Sequence, residues 1–257
     1  MVNNHLKKLL SEGKTAIGTF LVSGSPDLVE ICALSGMDFV IIDGEHGPTG
    51  PENAVNMIRA AEVRGISPIV RVPNHLESSI LHFLDIGAHG LQVPQVNDAQ
   101  TAKGLVAKSK YAPVGLRGVA FSRAADYGLT DLSKYFSYEN DQTMLITHCE
   151  NRLCLDNLEE ICQIPEIDVI FLGPYDMSQL LGITGQVTHP LIEAAAQRVL
   201  AITGKYNKVP GIFAGSGEIA KRRAEQGFRY ITIGMDITLF GAKCVQEMAA
   251  FRAQGVR

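Results

Sequence analysis

Two acidic residues, Glu150 and Asp176, each stand just beyond a short apolar run, Met144-Leu145-Ile146 and Val169-Ile170-Phe171-Leu172. Their separation is about that of one β-α unit of roughly 30 residues. If both runs are neighbouring parallel strands, the two carboxylates leave the sheet at the same edge. Crowded carboxylates repel, and such a pair shares a proton or a cation. Two oxygen donors without a cysteine suit a hard ion, Mg²⁺ or Mn²⁺, with waters and substrate oxygens completing an octahedron. Strand alternation puts His148 on the same face as Glu150; as a third ligand it would favour a softer ion, Co²⁺ or Zn²⁺. Alone, either acid reads as an exposed carboxylate or a helix N-cap. Their pairing at adjacent strand ends favours metal ligation.

A second set of polar residues follows the same rule. The run Phe39-Val40-Ile41-Ile42 ends in Asp43-Gly44-Glu45-His46-Gly47-Pro48, where glycines and a proline break regular structure. His46 there is a candidate general acid/base, although an isolated histidine is more often structural. Arg71 closes Ile69-Val70-Arg71. Its planar fork suits a substrate carboxylate or an enolate oxygen; the competing reading is an ion pair with Asp43 or Glu45. Lysines fall before strands or on helices, which argues against Schiff-base chemistry. No Gly-x-Ser-x-Gly elbow, P-loop or zinc signature is present, and Gly215-Ser216-Gly217 is too weak to name a phosphate site.

These residues need elements to hold them. Eight strand candidates alternate with helices along the chain, among them Ala16 to Val22, Ser67 to Val72, Gly90 to Pro94, Gly211 to Ala214 and Tyr230 to Ile233. Alternation implies a parallel sheet with right-handed crossovers, and eight units close a barrel. An open doubly wound sheet is the rival, but no Gly-x-Gly-x-x-Gly follows the first strand. The expected fold is an α/β (β/α)8 TIM barrel forming one domain over residues 1–257. Function in a barrel gathers at the C-terminal strand ends. In order these ends carry Asp43, Glu45 and His46, then Arg71, Gln92, His148 and Glu150, Asp176, Ser216 and Asp236. The stretch Tyr111 to Gln142 lacks a strong period and reads as a long functional excursion over the sheet edge. A loop is expected after the sixth strand, through Gly182-Ile183-Thr184-Gly185.

Composition agrees with an enzyme core. The 257 residues are 46% hydrophobic with a formal net charge of −4, so no basic footprint points to nucleic acid or an anionic membrane. No apolar run approaches a membrane span, and Met1 to Leu10 lacks a signal-peptide core. The five cysteines form no Cys-x-x-Cys pair and read as reduced, buried thiols. The expectation is a cytoplasmic protein.

The chain resembles the HpcH/HpaI family of metal-dependent pyruvate aldolases (class II 2-keto-acid aldolases) over nearly its whole length. The resemblance rests on Ile42-Asp43-Gly44-Glu45-His46, Pro68-Ile69-Val70-Arg71, Leu84-Asp85-Ile86-Gly87-Ala88, Arg117-Gly118-Val119, the Glu150 segment with Asn157, and Phe171-Leu172-Gly173-Pro174-Tyr175-Asp176. It implies reversible cleavage of a 4-hydroxy-2-oxo acid to pyruvate and an aldehyde. Glu150 and Asp176 would hold the divalent metal, which pyruvate chelates through its carboxylate and keto oxygens. Arg71 would bind the keto or enolate oxygen, and His46 would be the acid/base, assisted by Asp85, with a neighbouring subunit as one source of that carboxylate. His148, Gly173, Pro174 and Tyr175 would line the substrate. The resemblance further implies a homohexamer, a trimer of dimers, with the C-terminal helix exchanged between subunits. Where the family carries Gln two residues before the metal Glu, this chain has His148. Two other readings stand beside this one: an acyl-CoA lyase or another enolate-forming enzyme on the same scaffold, and a catalytically silent keto-acid-binding protein.

Overall fold

The computed structural model describes residues 3–253. Its strands are β1 (Ala16–Leu21), β2 (Phe39–Asp43), β3 (Ser67–Arg71), β4 (Gly90–Val93), β5 (Met144–Cys149), β6 (Val169–Leu172), β7 (Val209–Ala214) and β8 (Tyr230–Met235). They close in sequence order into one barrel, every neighbouring pair parallel. The helices are α1 (His5–Ser11), α2 (Pro26–Leu34), α3 (Pro51–Arg64), α4 (Glu77–Asp85), α5 (Ala99–Ser109), α6 (Leu132–Gln142), α7 (Arg152–Cys162), α8 (Pro174–Leu180), α9 (Pro190–Lys205), α10 (Gly217–Gln226) and α11 (Asp236–Ala253). The expected TIM barrel is the observed fold.

Strand side chains alternate between two apolar layers, because successive residues point to opposite faces. Val40, Ile42, Val70, Leu91, Leu145 and Leu172 face outward into the core beneath the helices. Phe39, Ile41, Ile69, Met144, Ile146, Val169, Phe171 and Tyr230 fill the barrel interior. That inward parity continues up the strands to Asp43, Arg71, His148 and Glu150, which is how a polar site comes to sit on an apolar stack. Gly18 is needed for the stack: a Cβ there would lie 2.5 Å from the Phe39 carbonyl oxygen and 2.6 Å from its ring. The short helix α1 closes the N-terminal end, with Leu6 and Leu10 joining the interior layer. Asn4 anchors it, accepting from Lys7 N at 3.1 Å and donating to the His89 carbonyl at 2.8 Å. Met1 and Val2 lie outside the described residues.

Three expectations are corrected. The excursion from Tyr111 to Gln142 is not irregular throughout: its second half is α6, capped by Asp131, whose carboxylate accepts from Ser133 N at 3.0 Å. Its apolar stripe is a single turn, Leu132, Tyr135 and Phe136, too short to show a period. The segment after β6 is not a plain loop but opens with α8, whose Pro174 occupies the first turn and whose seven residues are again too few for periodicity. Cys32, Cys149, Cys154 and Cys162 are buried as expected, whereas Cys244 is exposed, because α11 buries only Asp236 among its described residues. Among the described residues no helix is long and apolar enough to cross a membrane.

Candidate active site

A cavity of about 340 Å³ opens at the C-terminal mouth of the barrel. His46, Arg71, His148, Glu150, Gly173, Pro174, Tyr175 and Asp176 all line it, opposite an apolar wall that includes Phe20, Phe171, Phe213, Met235 and Ile237. Of the residues to which the family resemblance gives a site role, Asp85 is the one that does not line it. It ends α4, a helix that runs from β3 back to the start of β4, so within one chain it sits at the opposite end of the barrel. There its carboxylate accepts from Arg117 Nη2 at 2.8 Å. Any help that Asp85 gives His46 would have to come from a second copy.

Glu150 continues the inward parity of β5 and is 4% exposed. Its Oε1 accepts from His148 Nδ1, and its Oε2 accepts from Gln95 Nε2 at 2.9 Å and Gln95 N at 3.3 Å. Burial alone would raise its pKa, but the His148 contact, the Gln95 backbone N–H and the Arg71 charge outweigh it and hold the carboxyl below the usual range. Gln95 was not foreseen. It sits at φ 55°, left-handed backbone that a non-glycine residue seldom adopts, and so turns both backbone N–H and side-chain amide toward one oxygen. Its only sequence signal is its place directly after Pro94 at the end of β4.

Asp176 lies in the first turn of α8 and is exposed. The two acids converge over Gly173: a Cβ built there would stand 3.1 Å from Glu150 Cγ and 3.7 Å from both Glu150 Oε1 and Asp176 Oδ2. The missing side chain leaves a cradle between two carboxylate oxygens. Glu150 Oε1, which accepts once, retains a second lone pair beside Asp176 Oδ2, so the pair fits a hard divalent cation. Among the described residues no group of three or more His, Cys, Asp and Glu is placed to hold a metal, so remaining ligands would be water or substrate oxygens. Both ring nitrogens of His148 are engaged, Nδ1 by Glu150 and Nε2 by Gln92 Nε2 at 2.6 Å.

Arg71 makes the ion pairs of the competing reading while also lining the cavity. Its Nε and Nη2 fork onto Asp43 at 2.9 and 2.5 Å, its Nη1 lies 3.2 Å from Glu45 Oε2, and its guanidinium stacks 4.7 Å above the Phe20 ring. Burial would raise the Asp43 pKa, but the Arg71 fork and the backbone N–H groups of Glu45 and His46 hold it below the ordinary value. Glu45 is the reverse, raised chiefly by burial. His46 stands at the rim, 68% exposed and 3.9 Å from Glu45. Two strand-end residues prove structural. Asp236 ties the start of α11 to the end of β1, accepting from Val22 N, Ser23 N and Ser23 Oγ, and Ser216 caps α10.

Residues 16–242 match the HpcH/HpaI aldolase/citrate lyase family. The chain belongs to this family. It is 33% identical to a hydroxypyruvate/pyruvate aldolase of Chromohalobacter salexigens over 95% of this chain and 96% of that one. It is 32% identical to a 2-keto-3-deoxy-L-rhamnonate aldolase of Escherichia coli, over 98% and 95%. Among solved structures, the citrate synthase SbnG superposes with a TM-score of 0.89 at 30% identity, covering 97% of this chain and 98% of the other.

Proposed function

We propose that this protein is a divalent-metal-dependent aldolase that reversibly cleaves a 4-hydroxy-2-oxo acid to pyruvate and an aldehyde. The observation that carries the reading is the Glu150–Asp176 cradle over Gly173, facing the Arg71 guanidinium across one cavity. The aldolase relatives, matched over nearly the full length of each chain, support the reaction class.

Glu150 and Asp176 would hold Mg²⁺ or Mn²⁺. When bound, the cation would supply Lewis-acid stabilisation of the negative charge that develops on the keto oxygen. The chain's own residues do the rest. Arg71 has five N–H donors; Asp43 and Glu45 occupy three, leaving two for a substrate carboxylate or enolate oxygen. Asp43, itself fixed by two backbone N–H groups, fixes the fork so that this stabilisation is preorganised. His46 at the rim takes the proton of the C4 hydroxyl as the C3–C4 bond breaks, and the enolate is then protonated at C3 to give pyruvate. Phe20, Phe171 and Phe213 exclude water behind the reacting carbons. Gly173, Pro174 and Tyr175 shape the other side, Tyr175 packing edge-on to Phe213 at 5.7 Å.

We place the enzyme in the cytoplasm as a homo-oligomer, a hexamer built as a trimer of dimers, with α11 exchanged between copies and the whole chain acting as one barrel domain. The apolar side chains that α11 leaves bare support the exchange. A second reading, a different enolate-forming carbon–carbon reaction, draws on the likeness to a citrate synthase.

The test is pyruvate release from a panel of 4-hydroxy-2-oxo acids after chelation and readdition of Mg²⁺ or Mn²⁺. Wild-type turnover should vanish with chelator and return with metal. Glu150→Ala and Asp176→Ala should each lose roughly a thousandfold or more. Chelator-resistant turnover, or full activity in either variant, would falsify the metal-dependent reading. Exchange of pyruvate methyl protons in D₂O without cleavage of any panel member would favour the second reading. No exchange with any metal would favour a silent binding protein.

A further inference from the structure

A line of polar side chains crosses the apolar stack of the barrel interior. Tyr230 at the start of β8, Gln92 on β4 and His148 on β5 are 0%, 0% and 2% exposed, and they are joined end to end. Tyr230 Oη donates to Gln92 Oε1 at 2.8 Å, Gln92 Nε2 lies 2.6 Å from His148 Nε2, and His148 Nδ1 meets Glu150 Oε1. The direction of this chain follows from its ends. A carboxylate can only accept, so the proton between His148 and Glu150 sits on Nδ1. With the Gln92 amide oxygen turned to the Tyr230 hydroxyl, its N–H faces His148 Nε2 and donates to it, which leaves that nitrogen unprotonated.

We propose that Tyr230, Gln92 and His148 form a positioning relay that fixes the Glu150 carboxylate for cation binding. The proposal rests on the reading that Glu150 is a ligand. Burying three polar groups in an apolar barrel costs desolvation, which their mutual hydrogen bonds do little more than offset. Apolar side chains of the same shape would fill the interior equally well. What they could not do is set a tautomer. A glutamate has several rotatable bonds; with Oε1 held by the His148 imidazole and Oε2 by two Gln95 donors, the carboxylate plane is locked, and the unused lone pair of Oε1 is left for the ion. Outer partners of this kind orient metal ligands, and their loss weakens metal binding by about 10–100-fold.

The test uses the metal-free protein titrated with Mn²⁺, free ion being counted by electron paramagnetic resonance. Imidazole ¹⁵N shifts of the unloaded protein report the His148 tautomer. Wild type should show one neutral tautomer with the proton on Nδ1. Gln92→Met should bind Mn²⁺ about 10–100-fold more weakly and lose the single tautomer. Tyr230→Phe, which removes one oxygen and frees the amide to turn over, should lose the single tautomer with a smaller drop in affinity at an unchanged melting temperature. If Gln92→Met does not fold, Tyr230→Phe decides alone. Wild-type affinity and an unchanged Nδ1 tautomer in the folded variants overturn the relay, while lost Mn²⁺ binding in Glu150→Gln keeps the proposed function standing. Unimpaired binding in Glu150→Gln would instead overturn the metal site, and the relay with it.

Discussion

Arg71 shows how much chemistry depends on what else a side chain is holding. A guanidinium free at a barrel mouth would sample many orientations, and one fully committed to carboxylates could not touch a substrate. Here the fork onto Asp43 and the contact with Glu45 leave two donors. The stack on Phe20 fixes the plane in which they point. A lysine keeps the charge but not the fork. Arg71→Lys is therefore expected to lower kcat/KM for aldol cleavage by about 100-fold, near 3 kcal/mol of transition-state stabilisation, while Mn²⁺ affinity stays within about twofold of wild type. A variant that cleaves as fast as the parent would remove Arg71 from the chemistry. Gly173 has the opposite role: its value is the missing side chain, which lets two carboxylates share one space.

At the scale of elements, the inward parity of each strand decides which residues reach the mouth and which reach the base. At the base, His89 precedes β4 beneath α1. It is 8% exposed, and neither ring nitrogen has a hydrogen-bond partner among the described residues. Burial, aided by the nearby charges of His5 and Arg123, pulls it down to about 4. Above pH 7 both folded and unfolded chains carry it neutral. As pH falls through the unfolded value near 6.5, the unfolded chain binds the proton first, so stability drops until the folded value is reached. Between pH 7 and 5 this should cost about 2 kcal/mol. Urea midpoints at the two pH values should converge in His89→Gln relative to wild type. Equal pH slopes in both proteins would show that His89 titrates alike in the folded and unfolded chains.

For the whole molecule, α11 is the element that one chain leaves unfinished. Ile237, Leu239, Phe240, Val245, Met248 and Phe251 are all exposed on it, Phe240 by 73% and Val245 by 71%. Monomeric proteins rarely leave so contiguous an apolar surface in water. On α2, Ile31 and Leu34 are bare as well. A second copy that lays its own α11 here would cover them. Sedimentation equilibrium should find wild type as an oligomer, and Phe240→Glu with Val245→Glu should shift the mass toward the single chain. A wild type that sediments as a monomer at micromolar concentration would leave the helix unexplained.

Much of this was legible in linear order. Alternating apolar runs and helix signals require a parallel (β/α)8 sheet, since both faces of each strand must be buried. Strand-end position then marked Asp43, His46, Arg71, Glu150 and Asp176, because only the end of an inward-facing strand can carry a polar group without burying it unpaired. Tertiary structure alone decided the rest. Gln95 reaches Glu150 through a left-handed turn that no pattern announces. Tyr230 and Gln92 meet across the barrel from β8 and β4, a contact between residues far apart in sequence. The same holds for His148. Sequence left it open as a metal ligand or substrate contact, and only closure of the barrel placed Gln92 at one ring nitrogen and Glu150 at the other.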